Sequence, residues 1–229
     1  ETVDGSVTSI SYVNPDGVIT EAIDMGYAIV CRMRDNSDRV VEEQYLDASG
    51  NPVARYGDYY GLSYEYDETS TVITYLDAEG NPIIRSDGYS TIVRTQDDGR
   101  ASDDFYYDLN GQQVQCSGGY YGLHRGYNSD GQNISLTFDK DGHAVSTSSG
   151  YAIKTYQRDM DGTIVGEQYF DTEGNPARSL LGQYGELYQR NEQGYIGQIT
   201  YLGADGKPTP TNAGYTILKR TYHRDGTAD

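Results

Sequence analysis

Short runs of aromatic and β-branched residues recur in phase along the chain, separated by Gly- and Asp-rich polar segments. No stretch has helical spacing, and no helix cap precedes an amphipathic run, so the pattern predicts strands and tight turns only. Aligned on a tyrosine, Tyr12-Val-Asn-Pro-Asp-Gly17, Tyr45-Leu-Asp-Ala-Ser-Gly50, Tyr75-Leu-Asp-Ala-Glu-Gly80 and Tyr106-Tyr-Asp-Leu-Asn-Gly111 superimpose. Thr137-Phe-Asp-Lys-Asp-Gly142, Tyr169-Phe-Asp-Thr-Glu-Gly174 and Tyr201-Leu-Gly-Ala-Asp-Gly206 complete seven repeats of about 31 residues. The glycine five residues after each anchor suits a turn that needs positive φ. An Asp or Asn two residues after the anchor, replaced only by Gly203, can close an Asx turn. Pro52, Pro82, Pro176 and Pro208 follow the turn at strand starts, where a missing donor is tolerable.

A second signal opens another strand about fourteen residues past the anchor: Gly26-Tyr27, Gly88-Tyr89, Gly119-Tyr120, Gly150-Tyr151 and Gly214-Tyr215. Two repeats are looser, reading Gly57-Asp58-Tyr59 and Gly182-Gln183-Tyr184. A third signal is an acidic turn about eight residues before the next anchor: Asp98-Gly99, Asp130-Gly131, Asp161-Gly162 and Asp225-Gly226, with Asp4-Gly5 as the first of the kind. Start and end of the chain thus fall at equivalent points of the repeat. Each repeat reads as about three short strands, and residues 1–229 as a single array without a domain boundary. The predicted fold is all-β, an elongated tandem array of β-hairpins in solenoid or meander form. A closed β-propeller is the alternative, although 31 residues is short against the ~40–45 of such blades.

A repeat of this size cannot bury an apolar face alone, so neighbours must share their interiors. The residue after the anchor is Val13, Leu46, Leu76, Tyr107, Phe138, Phe170 or Leu202. Successive strand residues face opposite ways, so this column is expected to line the interior and the tyrosine column the other face. There Tyr45, Tyr75, Tyr106, Tyr169 and Tyr201, with Tyr12, form a ladder. Its rings either pack over turns with wet hydroxyls or stand exposed as platforms for an extended, repetitive ligand.

Composition removes several classes of function. Lys plus Arg number 17 against 35 Asp plus Glu, a formal charge of −18, so phosphate backbones and anionic membranes would be repelled. No nucleic-acid partner is expected, and no apolar run is long enough for membrane insertion. With 24 Tyr, 28 Gly, three Phe and no Trp, the composition is that of turn-rich β-structure. Cys31 and Cys116 fall at different phases of the repeat, which predicts two free thiols.

No set of residues suggests catalysis. His124, His143 and His223 sit in different repeats at different phases, as surface or turn residues rather than members of a triad. The pairs Asp103-Asp104 and Asp97-Asp98 are expected to diverge as solvated turn acids. Asp159-Met-Asp161-Gly162 and Asp139-Lys-Asp-Gly142 open like a calcium loop but lack its closing acid, leaving only weak calcium binding at turns to consider. No cofactor and no dedicated metal site are expected.

The consensus Tyr-x-Asp-x-x-Gly-Asn-Pro, followed by Gly-Tyr and a second acidic turn, resembles tandem repeats of secreted and surface proteins from gut-dwelling Gram-positive bacteria, over the whole chain. It is distantly similar to YD-type repeats and to choline- and glucan-binding cell-wall repeats, which share an aromatic–Asp–x–x–Gly hairpin. Those binding repeats are shorter and use Trp, so no ligand residue carries over. The resemblance implies an extracellular or cell-surface β-hairpin array. Two readings follow: a noncatalytic module that binds cell wall or other polysaccharide through the tyrosine ladder, with Tyr45, Tyr75, Tyr106, Tyr169 and Tyr201 as its contacts, or a structural spacer or stalk that meets another surface protein and holds no small ligand.

Overall fold

The computed structural model describes residues 7–22, 25–97, 100–127 and 133–222. The turns at Asp4-Gly5, Asp98-Gly99, Asp130-Gly131 and Asp225-Gly226, the Asp98 half of the Asp97-Asp98 pair, and His223 lie outside the described residues. Contacts divide the chain into two compact units, Glu1–Val114 and Gln115–Asp229. Both are built of strands and turns, with no helix among the described residues.

The N-terminal unit contains β1 (Val7–Ser11), β2 (Ile29–Arg34), β3 (Val40–Leu46), β4 (Gly61–Tyr66), β5 (Ser70–Leu76), β6 (Thr91–Asp97) and β7 (Arg100–Tyr107). Each pairs antiparallel with the next in chain order. The C-terminal unit contains β8 (Gly122–Tyr127), β9 (Asn133–Phe138), β10 (Ile153–Arg158), β11 (Ile164–Phe170), β12 (Gly185–Arg190), β13 (Ile196–Leu202) and β14 (Ile217–Lys219), paired in the same way. Each unit is therefore an open meander. A propeller would break the pairing after every four-stranded blade, and in neither unit does a described strand close the sheet onto its first.

Two kinds of connection alternate. Short loops join the two long strands of a hairpin, as at Asp35, Asp159 and Asn191. At the other end, the chain leaves the anchor strand, makes two successive tight turns and re-enters the sheet about fourteen residues later. In the first turn of the second repeat, the Asp47 N–H donates to Asn51 O and the Gly50 N–H to Asp47 O, while Asp47 Oδ1 accepts from the Ser49 and Asn51 amides. Asn14, Asp77, Asp108, Asp139 and Asp171 repeat this Asx geometry. Gly203 keeps the two backbone bonds with no side chain, and a Cβ there would meet Thr209 Oγ1 at 2.6 Å.

The expected third strand of each repeat is reduced to isolated bridges instead. Leu46 pairs with Pro52, Leu76 with Pro82, Phe170 with Pro176 and Leu202 with Pro208. Proline suits that place because the ladder ends there and asks for no further donor. The two looser repeats also resolve. In one, the backbone bond from Arg55 to Tyr59 matches that from Arg85 to Tyr89, so Asp58 stands where Gly88 does and the positive φ moves to Tyr56 and Gly57. In the other, the Ser179 N–H donates to Gln183 O just as Thr147 does to Tyr151, so Gln183, not Tyr184, occupies the tyrosine position.

The interior is the reverse of the one expected. Tyr45, Tyr75, Tyr106, Tyr169 and Tyr201 are 1–8% exposed, whereas the next column ranges from Leu202 and Phe138, buried, through Leu46 and Phe170, half-buried, to Val13 at 57%. The tyrosine face is covered because each two-turn excursion folds back over it. Alternation specifies only that the columns face opposite ways; the excursions decide which is covered. Both cysteines are free thiols, Cys31 half-buried and Cys116 buried.

Candidate functional site

The seven-residue strand β5 shows the register that builds the covered face: Thr71, Ile73 and Tyr75 are buried, opposite Tyr66, Tyr64 and Leu62 of β4. Onto the anchor tyrosines come the tyrosines of the second turns. In the N-terminal unit they interleave into one stack: Tyr12, Tyr27, Tyr45, Tyr59, Tyr75, Tyr89 and Tyr106, with consecutive centroids 5.9, 4.8, 5.9, 4.8, 5.8 and 4.5 Å apart. Most are edge-to-face or tilted, the arrangement the ring quadrupole favours. In the C-terminal unit Tyr151 stacks on Tyr169 at 4.5 Å and Tyr201 meets Tyr215 at 5.5 Å. Where that unit lacks a tyrosine, buried polar groups are satisfied locally. Thr137 Oγ1 donates to Val145 O, Ser179 Oγ donates to Gln183 Oε1, and Gln183 Nε2 donates to Glu186 Oε1.

Cations ten residues past an anchor lie against the stack. Arg55 stands 5.8, 5.3 and 5.2 Å from the rings of Tyr27, Tyr45 and Tyr56. Arg85 stands 5.7, 4.8 and 5.3 Å from Tyr59, Tyr75 and Tyr89. Arg85 Nη1 also donates to the Tyr75 and Tyr89 hydroxyls, while its Nε pairs with Asp58 at 2.9 Å and its Nη2 with Asp87 at 3.0 Å. These are cation–π contacts reinforced by hydrogen bonds and ion pairs.

Two residues before an anchor, carboxylates lie on the same face. Glu43 accepts from Arg32 at 2.7 Å and from the Tyr45 and Tyr64 hydroxyls at 2.9 and 3.3 Å. Asp104, 2% exposed, receives a bidentate Arg94 at 2.6 and 3.0 Å. Glu167 accepts from Lys154 at 3.0 Å and from the Tyr169 hydroxyl at 2.6 Å. Asp103 and Asp104 do point to opposite faces of β7, but neither is a solvated turn acid: Asp103 lies half-buried on the strand, and Asp104 is in the interior. Burying a carboxylate is tolerable only with such partners.

The electrostatics follow from this packing. Burial pushes the Tyr27 hydroxyl up to about 12, with Tyr12 adding to it. Tyr45, Tyr59, Tyr64, Tyr89, Tyr169, Tyr188 and Tyr201 are raised for the same first reason, and neighbouring Glu43 or Glu167 raises Tyr45, Tyr64, Tyr169 and Tyr188 further. The turn acids shift the other way. Backbone donors, Asn51 foremost for Asp47 and Asn81 for Asp77, hold these carboxyls below their ordinary 3.8.

The five tyrosines expected to contact a ligand therefore share one interior face within each unit, and they present no open ring. The features overlooked in the sequence are Arg55 and Arg85, each ten residues after an anchor, Glu43, Asp104 and Glu167, each two before one, and Gln183 at the tyrosine phase; aligning the anchors shows the shared spacing but not that these side chains are interior. Of the histidines, His124 lies half-buried on β8 and His143 is on an exposed turn, its Nδ1 3.6 Å from Asp139 Oδ2. Asp139, Asp141 and His143 have ligand atoms within 4.8 Å of one another, though Asp139 Oδ1 already accepts two turn amides. On the opposite face of the N-terminal unit a groove of about 340 Å³ is lined by Thr74, Ser90, Thr91, Tyr107, Leu109 and Pro82 among others. Ser90 Oγ there is buried without a hydrogen-bond partner among the described residues. No protein-family model matches this chain, and no curated protein matches it in sequence.

Proposed function

We propose that this chain is a noncatalytic structural module, a spacer or protein-interaction stalk of a bacterial cell surface. The observation that carries the reading is the burial of the tyrosine ladder: the most regularly repeated side chains hold repeat to repeat. The noncatalytic reading is supported by the state of the interior carboxylates, since Glu43, Asp104 and Glu167 are each held by a cation. The extracellular setting rests on the resemblance to surface-protein repeats, and the net charge of −18 suits a stalk that must stay soluble.

A second reading, attachment to cell-wall or other polysaccharide, is supported by a different feature from the ladder. The groove beside Tyr107 joins an aromatic and an apolar wall to the hydroxyls of Thr74 and Thr91, a mixture suited to a sugar ring. Retention on purified cell wall and on a glycan array separates the two. The spacer reading expects no retention. Retention of wild type that Leu109→Ala abolishes would sink it in favour of the groove, because Leu109 is 53% exposed and its truncation leaves the interior intact.

A further inference from the structure

Equivalent positions of the repeats alternate between two types. The strand after each two-turn excursion opens with Ala28-Ile29, Ser90-Thr91, Ala152-Ile153 or Thr216-Ile217 in one type and Tyr60-Gly61, Tyr121-Gly122 or Tyr184-Gly185 in the other, strictly in turn. Two residues before the anchor, Glu43, Asp104 and Glu167 alternate in the same way with Ile10, Ile73, Ser135 and Ile199. Acid-bearing hairpins (β2–β3, β6–β7, β10–β11) therefore take turns with glycine-led hairpins (β4–β5, β8–β9, β12–β13). Their packing differs. In the glycine-led type Leu76, Phe138 and Leu202 face Gly61, Gly122 and Gly185 and are 3–7% exposed. In the acid-bearing type Leu46, Tyr107 and Phe170 face Ile29, Thr91 and Ile153 and stay half-buried, because a branched partner fills the space that glycine leaves open.

The junctions between hairpins come in two kinds as a result. Where a glycine-led hairpin precedes an acid-bearing one the ladder is long: Ser70–Thr74 pairs with Thr91–Thr95, and Asn133–Leu136 with Ile153–Tyr156. The interior pair at the first is Ile73 against Ile92, 9% and 6% exposed. At the second Ser135 faces Lys154, whose charge Glu167 holds within its own hairpin, and Ser135 Oγ lies 3.2 Å from the Tyr156 hydroxyl. Where an acid-bearing hairpin precedes a glycine-led one, the ladder shrinks to Glu42–Gln44 against Gly61–Ser63 and Gly166–Gln168 against Gly185–Leu187. There Glu43 faces Leu62, and Glu167 faces Glu186, a like charge directly opposite. Gly61 and Gly185 bring no side chain to these junctions, since a Cβ would lie 2.5 Å from the carbonyl oxygen of Glu43 or Glu167. Tyr64 and Tyr66 do reach back from β4, to Glu43 at 3.3 Å and to the Val40 carbonyl at 2.7 Å, but a single hydrogen bond contributes less net stability than a buried aliphatic pair. The tyrosine stack does not distinguish the two kinds: Tyr45–Tyr59 spans 5.9 Å at the short ladder and Tyr75–Tyr89 5.8 Å at the long one.

We propose that the structural unit of this protein is two repeats, a glycine-led hairpin followed by an acid-bearing one, and that the array opens stepwise at the short ladders between such units. In a linear array each interface contributes its own stability, and opening starts where the interface is weakest. β4–β7 and β8–β11 are then cooperative four-stranded blocks, with breaks between β3 and β4 and between β11 and β12. The division of the chain at Val114 and Gln115 falls in the connection from β7 to β8, which also leads from an acid-bearing to a glycine-led hairpin. Under tension such an array parts in two-repeat steps while each block keeps its interior.

Native-state hydrogen exchange of the full chain tests this, because one backbone bond recurs at every junction. The anchor amide donates to the carbonyl that opens the next strand: Tyr45 to Tyr60 and Tyr169 to Tyr184 at the short ladders, Tyr75 to Ser90 and Thr137 to Ala152 at the long ones, all at 2.9–3.0 Å. After correction for intrinsic rates, the first two amides should exchange about tenfold faster than the last two, or more. Limited proteolysis with a nonspecific protease should cut first within residues 47–60 and 171–184, ahead of 77–90 and 139–152. Ile92→Ala trims the aliphatic pair between β5 and β6, and should bring the Tyr75 amide to the rate of Tyr45 while leaving Thr137 unchanged. The wild-type comparison decides the matter even if that variant fails to fold. Equal protection at all four amides, faster exchange at Tyr75 or Thr137, or first cuts within 77–90 or 139–152 would each overturn the proposal.

Discussion

Tyr45 offers the sharpest test of the claim that interleaved tyrosines hold the repeats together. It is 1% exposed, lies between Tyr27 at 4.8 Å and Tyr59 at 5.9 Å, and donates its hydroxyl to Glu43 at 2.9 Å. Tyr45→Phe removes only the hydroxyl. A hydrogen bond to a charged group contributes about 1.5–3 kcal/mol; Glu43 keeps Arg32 at 2.7 Å and Tyr64 at 3.3 Å, but Arg55 Nη1 loses the hydroxyl it donates to at 3.3 Å, so the expected loss falls within that range. Tyr45→Ala removes the ring and should cost about 3–5 kcal/mol, the usual range for a buried aromatic. The double substitution with Tyr27→Ala, the partner from the preceding repeat at 4.8 Å, should show a coupling of about 0.5–1.5 kcal/mol from the lost ring pair.

Because repeat arrays open locally, native-state hydrogen exchange is the appropriate assay. The Val53 amide, bonded to Tyr45 O, and the Ala28 amide, bonded to Leu46 O, report on this junction, and the Thr209 amide, bonded to Tyr201 O, is the remote control. At about 1.4 kcal/mol per tenfold, Tyr45→Ala should speed the first two by roughly a hundredfold or more and leave the third unchanged. An alanine variant that costs less than about 1 kcal/mol, within the range of ordinary surface changes, would refute the reasoning, as would zero coupling to Tyr27.

Three further outcomes are expected. Asp47, Asp77, Asp108 and Asp171 are held below 3.8 chiefly by backbone donors, so the stability they contribute is complete above 3.8 and lost as pH falls below it; acid melts should show this, and Asp77→Asn should flatten it, since Asn14 makes the same turn without a charge. The stack works in the opposite sense. Tyr27 is raised from 10.0 to about 12, so its contribution is complete below 10.0 and lost as pH rises toward 12, and tyrosinate absorbance should appear together with loss of the β-sheet signal. Gly150→Ala places a Cβ 2.7 Å from Arg178 O at φ +98°, whereas Gly174→Ala at φ +86° enters open space; the first should lower Tm clearly more than the second, whose penalty is the left-handed backbone alone, about 1–2 kcal/mol.

The sequence by itself determined the period, the turn chemistry and the absence of helical spacing. Asp47 and Gly50 specify their turn locally, because a side-chain acceptor two residues ahead of its donor and a residue tolerant of positive φ need nothing from the rest of the fold. Tertiary structure decided which face is the interior. Alternation places Tyr45 and Leu46 on opposite sides but carries no information about what covers either. That depends on the excursions that bring Tyr27 of the preceding repeat and Tyr59 of the same repeat onto Tyr45. Strand register explains why Glu43 and Asp104 could not be recognised as interior residues: their partners Arg32 and Arg94 stand across the hairpin, and only the pairing of the strands brings each pair together.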